Sequence, residues 1–212
     1  MSMVTQRINK IESEVFRTIK PLGFTKHGRT LHRFVDGDLS QVIEFQCGPA
    51  YRNATHLMWV NIGIRIPECV ERQFHAVNDR DFYHEYECNM RSRLGTIAAK
   101  DCRGEITFRL DGAVEVLCRE ILDDIETEVL PVFDLLSNRC AVLEHRREYP
   151  YFDTMNNHLI KLEESMIYGH LGDFSKSRER FEEYYETARQ NCRRCPGHVE
   201  YLDELRCTLG FQ

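Results

Sequence analysis

Apolar side chains recur at three- and four-residue steps over Val4, Ile8, Ile11, Val15 and Ile19. That spacing predicts a helix over residues 4–20 with one stripe turned to a core, and Pro21 and Gly23 end it. Residues 24–35 and 38–47 then read as two strands joined at Asp36-Gly37, because an Asp-Gly pair supplies the positive φ angles of a two-residue hairpin turn. With that turn Val35 pairs with Asp38. Counting back sets Phe34 beside Leu39, Thr30 beside Ile43 and Gly28 beside Phe45 on an apolar face. Arg33, Arg29 and His27 then lie across from Ser40, Glu44 and Gln46 on a charged one.

A third strand over residues 57–66 repeats the division, with Met58, Val60, Ile62, Ile64 and Ile66 inward and Trp59, Asn61, Gly63 and Arg65 outward. A fourth, residues 105–110, sends Ile106, Phe108 and Leu110 inward and Thr107 and Arg109 outward. The period of two predicts an antiparallel sheet with one apolar face. Two helices cover it, the first and a long one after Asp111-Gly112 marked by Val114, Leu117, Ile121, Ile125, Val129 and Val132, which Pro131 kinks or splits. Residues 67–100 are polar and uneven, with a short helix expected to end around Arg91 to Gly95 and a surface loop around His75, Asp79, Asp81 and His84.

After residue 150 the pattern becomes helical. The expected organisation is an α+β domain over residues 1–150, with an antiparallel sheet of about four strands under two helices, followed by a helical hairpin over 151–212 packed on it. Tyr168, Gly172, Asp173, Phe174 and Phe181 resemble one tetratricopeptide-type hairpin, although Ser165 and Ser177 stand where that repeat has other small residues.

Composition narrows the function. The 212 residues are 42% hydrophobic and 29% charged, which fits a globular chain, and no apolar run approaches the ~20 residues of a membrane span. Arg7, Glu12, Glu14 and Arg17 interrupt any signal-peptide core, so a cytoplasmic protein is expected. The net charge of −6 (28 basic, 34 acidic) disfavours a general nucleic-acid binder. Residues 67–150 carry most of the imbalance, 11 basic against 18 acidic side chains.

The run Lys20-Pro21-Leu22-Gly23-Phe24, with Lys26, Gly28, Arg29, Leu31 and Arg33, resembles the opening of the bacterial domain-of-unknown-function family 4304. Phe45-Gln46, Val60-Asn61-Ile62-Gly63 and Arg93-Leu94-Gly95 are similar to its later elements, over residues 4–135 in all. Cys47 departs from the usual basic or small polar residue. The resemblance implies an α+β fold and a bacterial origin, and it brings no activity and no catalytic residue.

The densest constellation is the outward sheet face, where the deduced register gathers Arg29, Arg33, Glu44, Gln46, Trp59, Asn61, Arg65 and Arg109. Guanidinium groups among amides and an aromatic ring suit a carboxylate, phosphate or acidic peptide. A solvated face laced by cross-strand pairs such as Arg29 with Glu44 has the same composition. Cys192 and Cys195 form a C-x-x-C near His198 and Cys207, but a helix over 199–209 carries Cys207 about 12 Å away at 1.5 Å per residue, too far to close a local zinc site. Free thiols, no metal and no cofactor are therefore expected. Signatures of serine hydrolases, P-loops and dinucleotide folds are absent. The expected function is binding rather than catalysis, with a protein partner of the immunity or antitoxin type, such as a basic toxin, and neither nucleic acid nor membrane. The alternative is an enzyme or sensor for a small anion at the arginine-rich face.

Overall fold

The computed structural model describes residues 2–50, 55–74, 80–100, 103–152, 159–190 and 196–211. It divides into two compact units, Met1–Met155 and Asn156–Gln212. The first unit opens with helix α1 (Met3–Ile19), capped by the Ser2 hydroxyl, which accepts from the Thr5 N–H. Its predicted stripe, Ile8, Ile11, Val15 and Ile19, is fully buried.

The sheet has six strands, β1 (Thr25–His27), β2 (Thr30–Val35), β3 (Leu39–Ala50), β4 (Thr55–Arg65), β5 (Met90–Arg93) and β6 (Ile106–Arg109). They pair antiparallel in the order β1-β2-β3-β4-β5, and β6 also pairs with β4. The α+β class is as the pattern predicts. The strand expected over residues 24–35 is itself a hairpin, because Gly28, at φ +58°, turns β1 back on β2 with His27 opposite Thr30.

The turn at Asp36 differs from expectation by one residue, and that residue reorders the sheet. Val35 pairs with Leu39, not Asp38, so Asp36, Gly37 and Asp38 form a three-residue loop. A tertiary contact goes with it: Asp38, outside the ladder, accepts from Arg139 (Nη2 to Oδ1, 2.7 Å), and Leu39 takes the closing position, fully buried. Thr30 now faces Glu44, Leu31 faces Ile43 and Arg33 faces Gln41. A slip of one flips every side chain of β2. Leu31 therefore joins the core, whereas Phe34, expected inside, turns to the opposite face and is 43% exposed.

The inner face holds Leu31, Leu39, Ile43, Phe45, Met58, Val60, Ile62, Ile64 and Phe108, all buried. Over it lie α1 and a helical run spanning residues 114–135. Between β4 and β5 come α2 (Pro67–Phe74) and a segment, residues 80–88, that includes a 3₁₀ turn at Glu85–Glu87. The helix expected to end near Arg91 is strand β5, followed by the single turn α3 (Leu94–Ile97). Helix α4 (Val114–Asp124) runs through a π-helical turn, Ile125–Val129, into α5 (Leu130–Leu135). Pro131 has no N–H to donate and its ring crowds the preceding turn. The chain widens there, with the Leu130 N–H reaching the Ile125 carbonyl. Ile121, Ile125 and Val129 all stay buried, while Glu126, Thr127 and Glu128 are extruded to solvent. Helix α6 (Arg139–His145) is capped by Asn138.

The second unit contains α7 (Ile160–His170), α8 (Phe174–Gln190) and α9 (Pro196–Thr208). Gly172, at φ +81°, makes the turn between the first two. Ser165 and Ser177 are buried and reciprocally bonded, each hydroxyl donating to the other's carbonyl at 2.7 and 2.8 Å. They let α7 and α8 approach closely beside Gly169. Cys192 and Cys195 lie outside the described residues. Cys47, Cys69, Cys88, Cys118, Cys140 and Cys207 are free thiols, three of them exposed rather than buried.

Candidate functional site

The register places the eight candidate residues in three different environments. Arg29 and Arg33 lie on the helix side of the sheet. Arg29 Nε donates to Asn9 of α1 at 3.2 Å. Arg33 donates to Gln41 (2.7 Å), the Leu22 carbonyl (3.1 Å) and Asp134 of α5 (2.8 Å), and stacks over Phe24. Both guanidinium groups thus tie the sheet to its helices. Arg109, on β6 opposite Thr55, is exposed and held by Asp111 (2.8 and 2.9 Å), ten residues along β4 from Arg65, or about 33 Å at ~3.3 Å per residue.

Glu44, Gln46, Trp59, Asn61 and Arg65 do share the outer face. Gln46 accepts from Asn61 at 3.0 Å, and the Arg93 guanidinium lies 5.1 Å from the Trp59 ring. The one-residue slip adds Thr30, His32 and Phe34 to this face, and the expected Arg29–Glu44 pair does not form.

This face is not open to solvent over its upper half, because residues 80–88 lie across it as a strap. The expected surface loop is a cover, with Tyr83, Glu85 and Cys88 all buried. Phe82 stacks on His27 (3.8 Å between ring centres). The Glu44 carboxylate accepts the Glu85 N–H at 2.9 Å and meets His84 Nδ1 at 3.1 Å, where the Thr30 hydroxyl also reaches. Glu85 holds Arg91 in a bidentate pair at 2.8 and 3.0 Å, a geometry that raises the arginine's affinity for its proton. His75 and Asp79 lie outside the described residues.

The strap needs Gly63. A Cβ at this position of β4 would sit 2.6 Å from Cys88 Sγ and 2.9 Å from Cys88 Cβ. Gly63→Ala is expected to cost about 1–3 kcal/mol, the usual range for overpacking, by forcing Cys88 off the sheet. Burial pushes the Cys88 thiol up from its ordinary pKa, so in the native chain it is inert. Mass spectrometry after brief exposure to a thiol reagent should find Cys88 modified faster in the variant; equal protection in both proteins would show that the strap docks without this close approach.

At the centre of the covered face, Tyr83 lies over Arg65 (3.8 Å from guanidinium carbon to ring centre) and 6.1 Å from the His32 ring. Arg80 approaches the same ring at 5.3 Å. His32 is 2% exposed, and burial, followed by the charge of Arg65, holds its pKa down at about 4. Ser40 stands between Phe34 and Arg65 in the cross-strand register. Sequence reasoning missed His32, Ser40 and Tyr83. The signal for His32 was the turn, since only the three-residue loop puts it on this face; Ser40 was already placed there but not counted among the site residues; the signal for the strap was the run Phe82-Tyr83 with Tyr86.

On the helix side, a shallow groove of about 550 Å³ runs between β6 and the start of α4, lined among others by Arg7, Phe108, Arg109, Val116 and Leu117. Along α4 and its continuation, the solvent side carries Glu120, Asp123, Glu126 and Glu128, all exposed. Arg119 is the basic residue among them.

In comparisons with known proteins, the model of a family described as Domain of unknown function (DUF4304) matches residues 15–135, more than half of the chain. No curated protein and no solved structure matches.

Proposed function

The chain belongs to this family of unknown function, and from its surface we infer that it is a binding protein whose partner carries a basic patch. The observation that carries this reading is the acidic ridge of α4 and its π-helical turn. Glu120, Asp123, Glu126 and Glu128 project into solvent, and no ion pair neutralises them among the described residues. Glu115 and Asp134, at the two ends, are by contrast engaged by Lys10 and Arg33. Like charges held side by side repel and cost stability, so a ridge of this kind favours an oppositely charged surface that relieves the repulsion and is steered by it. Exposed Val116 and Leu135, 50% and 36% accessible, supply apolar contact at either end of the ridge. A small acidic protein that occludes a basic toxin, in the manner of an immunity protein or antitoxin, is the concrete form of this reading. Phosphate backbones and anionic membrane surfaces are disfavoured by the same charge.

The test is a binding titration of the purified chain against basic proteins encoded by neighbouring genes, at two salt concentrations. A one-to-one complex is expected that weakens at least tenfold both at high salt and in the triple variant Glu120→Lys, Asp123→Lys, Glu126→Lys. The variant should fold normally, because none of the three side chains enters the core. A complex indifferent to salt and to the triple reversal overturns the ridge as the docking surface.

A further inference from the structure

We propose that the covered sheet face beneath Tyr83, on the strap side, is a binding site for a compact oxyanion, a carboxylate or phosphate group, held by His32 and Ser40 in the field of Arg65. Two buried polar atoms point to a ligand. His32 Nε2 and Ser40 Oγ have no hydrogen-bond partner in the protein, although their residues are 2% and 0% exposed. Folded proteins seldom leave such atoms unpaired, because each costs desolvation without compensation. Here two occur together. Ser40 pairs across the sheet with Phe34, so His32, two residues before Phe34, is its diagonal neighbour on the same face.

The surroundings select the ligand's charge. Arg65 is directly opposite Ser40 on β4 and 2% exposed, and its charge is close enough to act on His32. Arg80, on the Tyr83 ring, is neutralised by Glu87 and partly exposed, so the charge that acts here is that of Arg65. A positive potential in a region shielded from water favours an anion far more strongly than the same charges would at the surface. Both orphaned groups can donate, Ser40 through its hydroxyl and His32 through Nε2–H in that tautomer, while an oxyanion offers only acceptors. Phe34, set edge-on to His32 at 4.4 Å between ring centres and 43% exposed, forms the solvent-side wall. The site is thus enclosed, carries the charge of Arg65 and is walled by Tyr83 and Phe34. It is separate from the acidic ridge on α4, so its failure and the failure of that reading are distinguishable.

The experiment uses the full chain at constant ionic strength with three probes, sodium phosphate, sodium acetate and sodium chloride. Saturable shifts of the His32 imidazole signals by NMR, and a rise in melting temperature, are expected with phosphate or acetate and not with chloride. Ser40→Ala separates a site from a scaffold. It removes an unpaired hydroxyl, so without ligand its melting temperature should equal or exceed that of the native chain. Its affinity for the oxyanion should nevertheless fall about tenfold or more, the loss of one hydrogen bond to a charged group. Three results overturn the proposal: His32 signals that do not move with either oxyanion, equal stabilisation of the native chain and Ser40→Ala, or a Ser40→Ala protein that is less stable without ligand and unchanged in affinity. The last would mean that the hydroxyl serves the fold, with water as its partner.

Discussion

Arg139→Ala should destabilise the first unit by about 3 kcal/mol, the low end of the range for removing one member of a buried charge cluster, and lower its melting temperature by roughly 10 °C. The guanidinium is 4% exposed and joins three elements. It makes a bidentate pair with Glu68 of α2 (2.9 Å at both contacts), reaches Asp38 at 2.7 Å, and meets the carbonyl and carboxylate of Asp36 at 3.4 Å, while its own N–H donates to Asp36 at 3.3 Å. Burial works against the charge, but hydrogen bonds to Glu68 and Asp38 outweigh it and carry the pKa above the ordinary arginine range. The low end of the range applies because Asp36 and Asp38 are 41% and 56% exposed and water screens them. Lysine keeps the charge and loses the planar fork, so Arg139→Lys should recover only part of the loss. Urea unfolding of the three proteins measures this. A change below about 1 kcal/mol would mean that the loop 36–38 holds its conformation unaided and that the sheet register does not depend on Arg139.

Acid should destabilise the protein through His32 by an amount of similar size. In the unfolded chain this imidazole takes up its proton near the ordinary value of 6.5, whereas in the folded chain it does so only near 4. The unfolded state therefore binds more protons between these limits, and stability falls as the pH falls. The contribution is intact above about pH 6.5 and is lost progressively down to about pH 4. At 1.36 kcal/mol for each pH unit between the two values, the loss approaches about 3 kcal/mol. Its physical source is the cost of burying an imidazolium beneath Tyr83 and beside Arg65. Carboxylates elsewhere also titrate in this range, so the comparison is with His32→Phe, which fits among Phe34 and Tyr83 and cannot take up a proton. The native chain should lose about 3 kcal/mol more than the variant between pH 7 and pH 4. Parallel stability curves for the two proteins would show that His32 gains its proton without leaving the folded state strained.

These two residues also mark where local pattern stopped being informative. The stripe on α1, the alternation of Met58, Val60, Ile62 and Ile64 on β4, and an irregularity of the long helix at Pro131, expected as a kink or break and found as a widened turn, were legible in the chain. Each follows from interactions within a few residues: helical periodicity, the two-residue period of a strand, and the missing N–H of proline. The antiparallel class followed from the same alternation. The strand count did not, since Gly28 hid a second hairpin and the four residues of β5 are too few for a period to register.

The candidate site was legible only in part. Glu44, Gln46, Trp59, Asn61 and Arg65 share a face as their own strands require, because the β3–β4 register is consistent with the pattern on both. Arg29 and Arg33 were assigned to that face through the turn at Asp36, and a turn sequence compatible with two geometries cannot choose between them. Arg139, a hundred residues away, bonds Asp38 where it lies outside the ladder. The register that goes with this contact exchanges Arg29 and Arg33 for Thr30, His32 and Phe34. The strap is a second decision of the same kind. Its residues are polar enough to read as solvated loop, and they become a cover because Glu44, His84 and Glu85 satisfy one another against the sheet. Local sequence determined which residues alternate and where helices begin and end. Which face each strand presents, and what lies over it, was decided by contacts between residues far apart in the chain, since register and coverage depend on the partner that arrives and not on the strand alone.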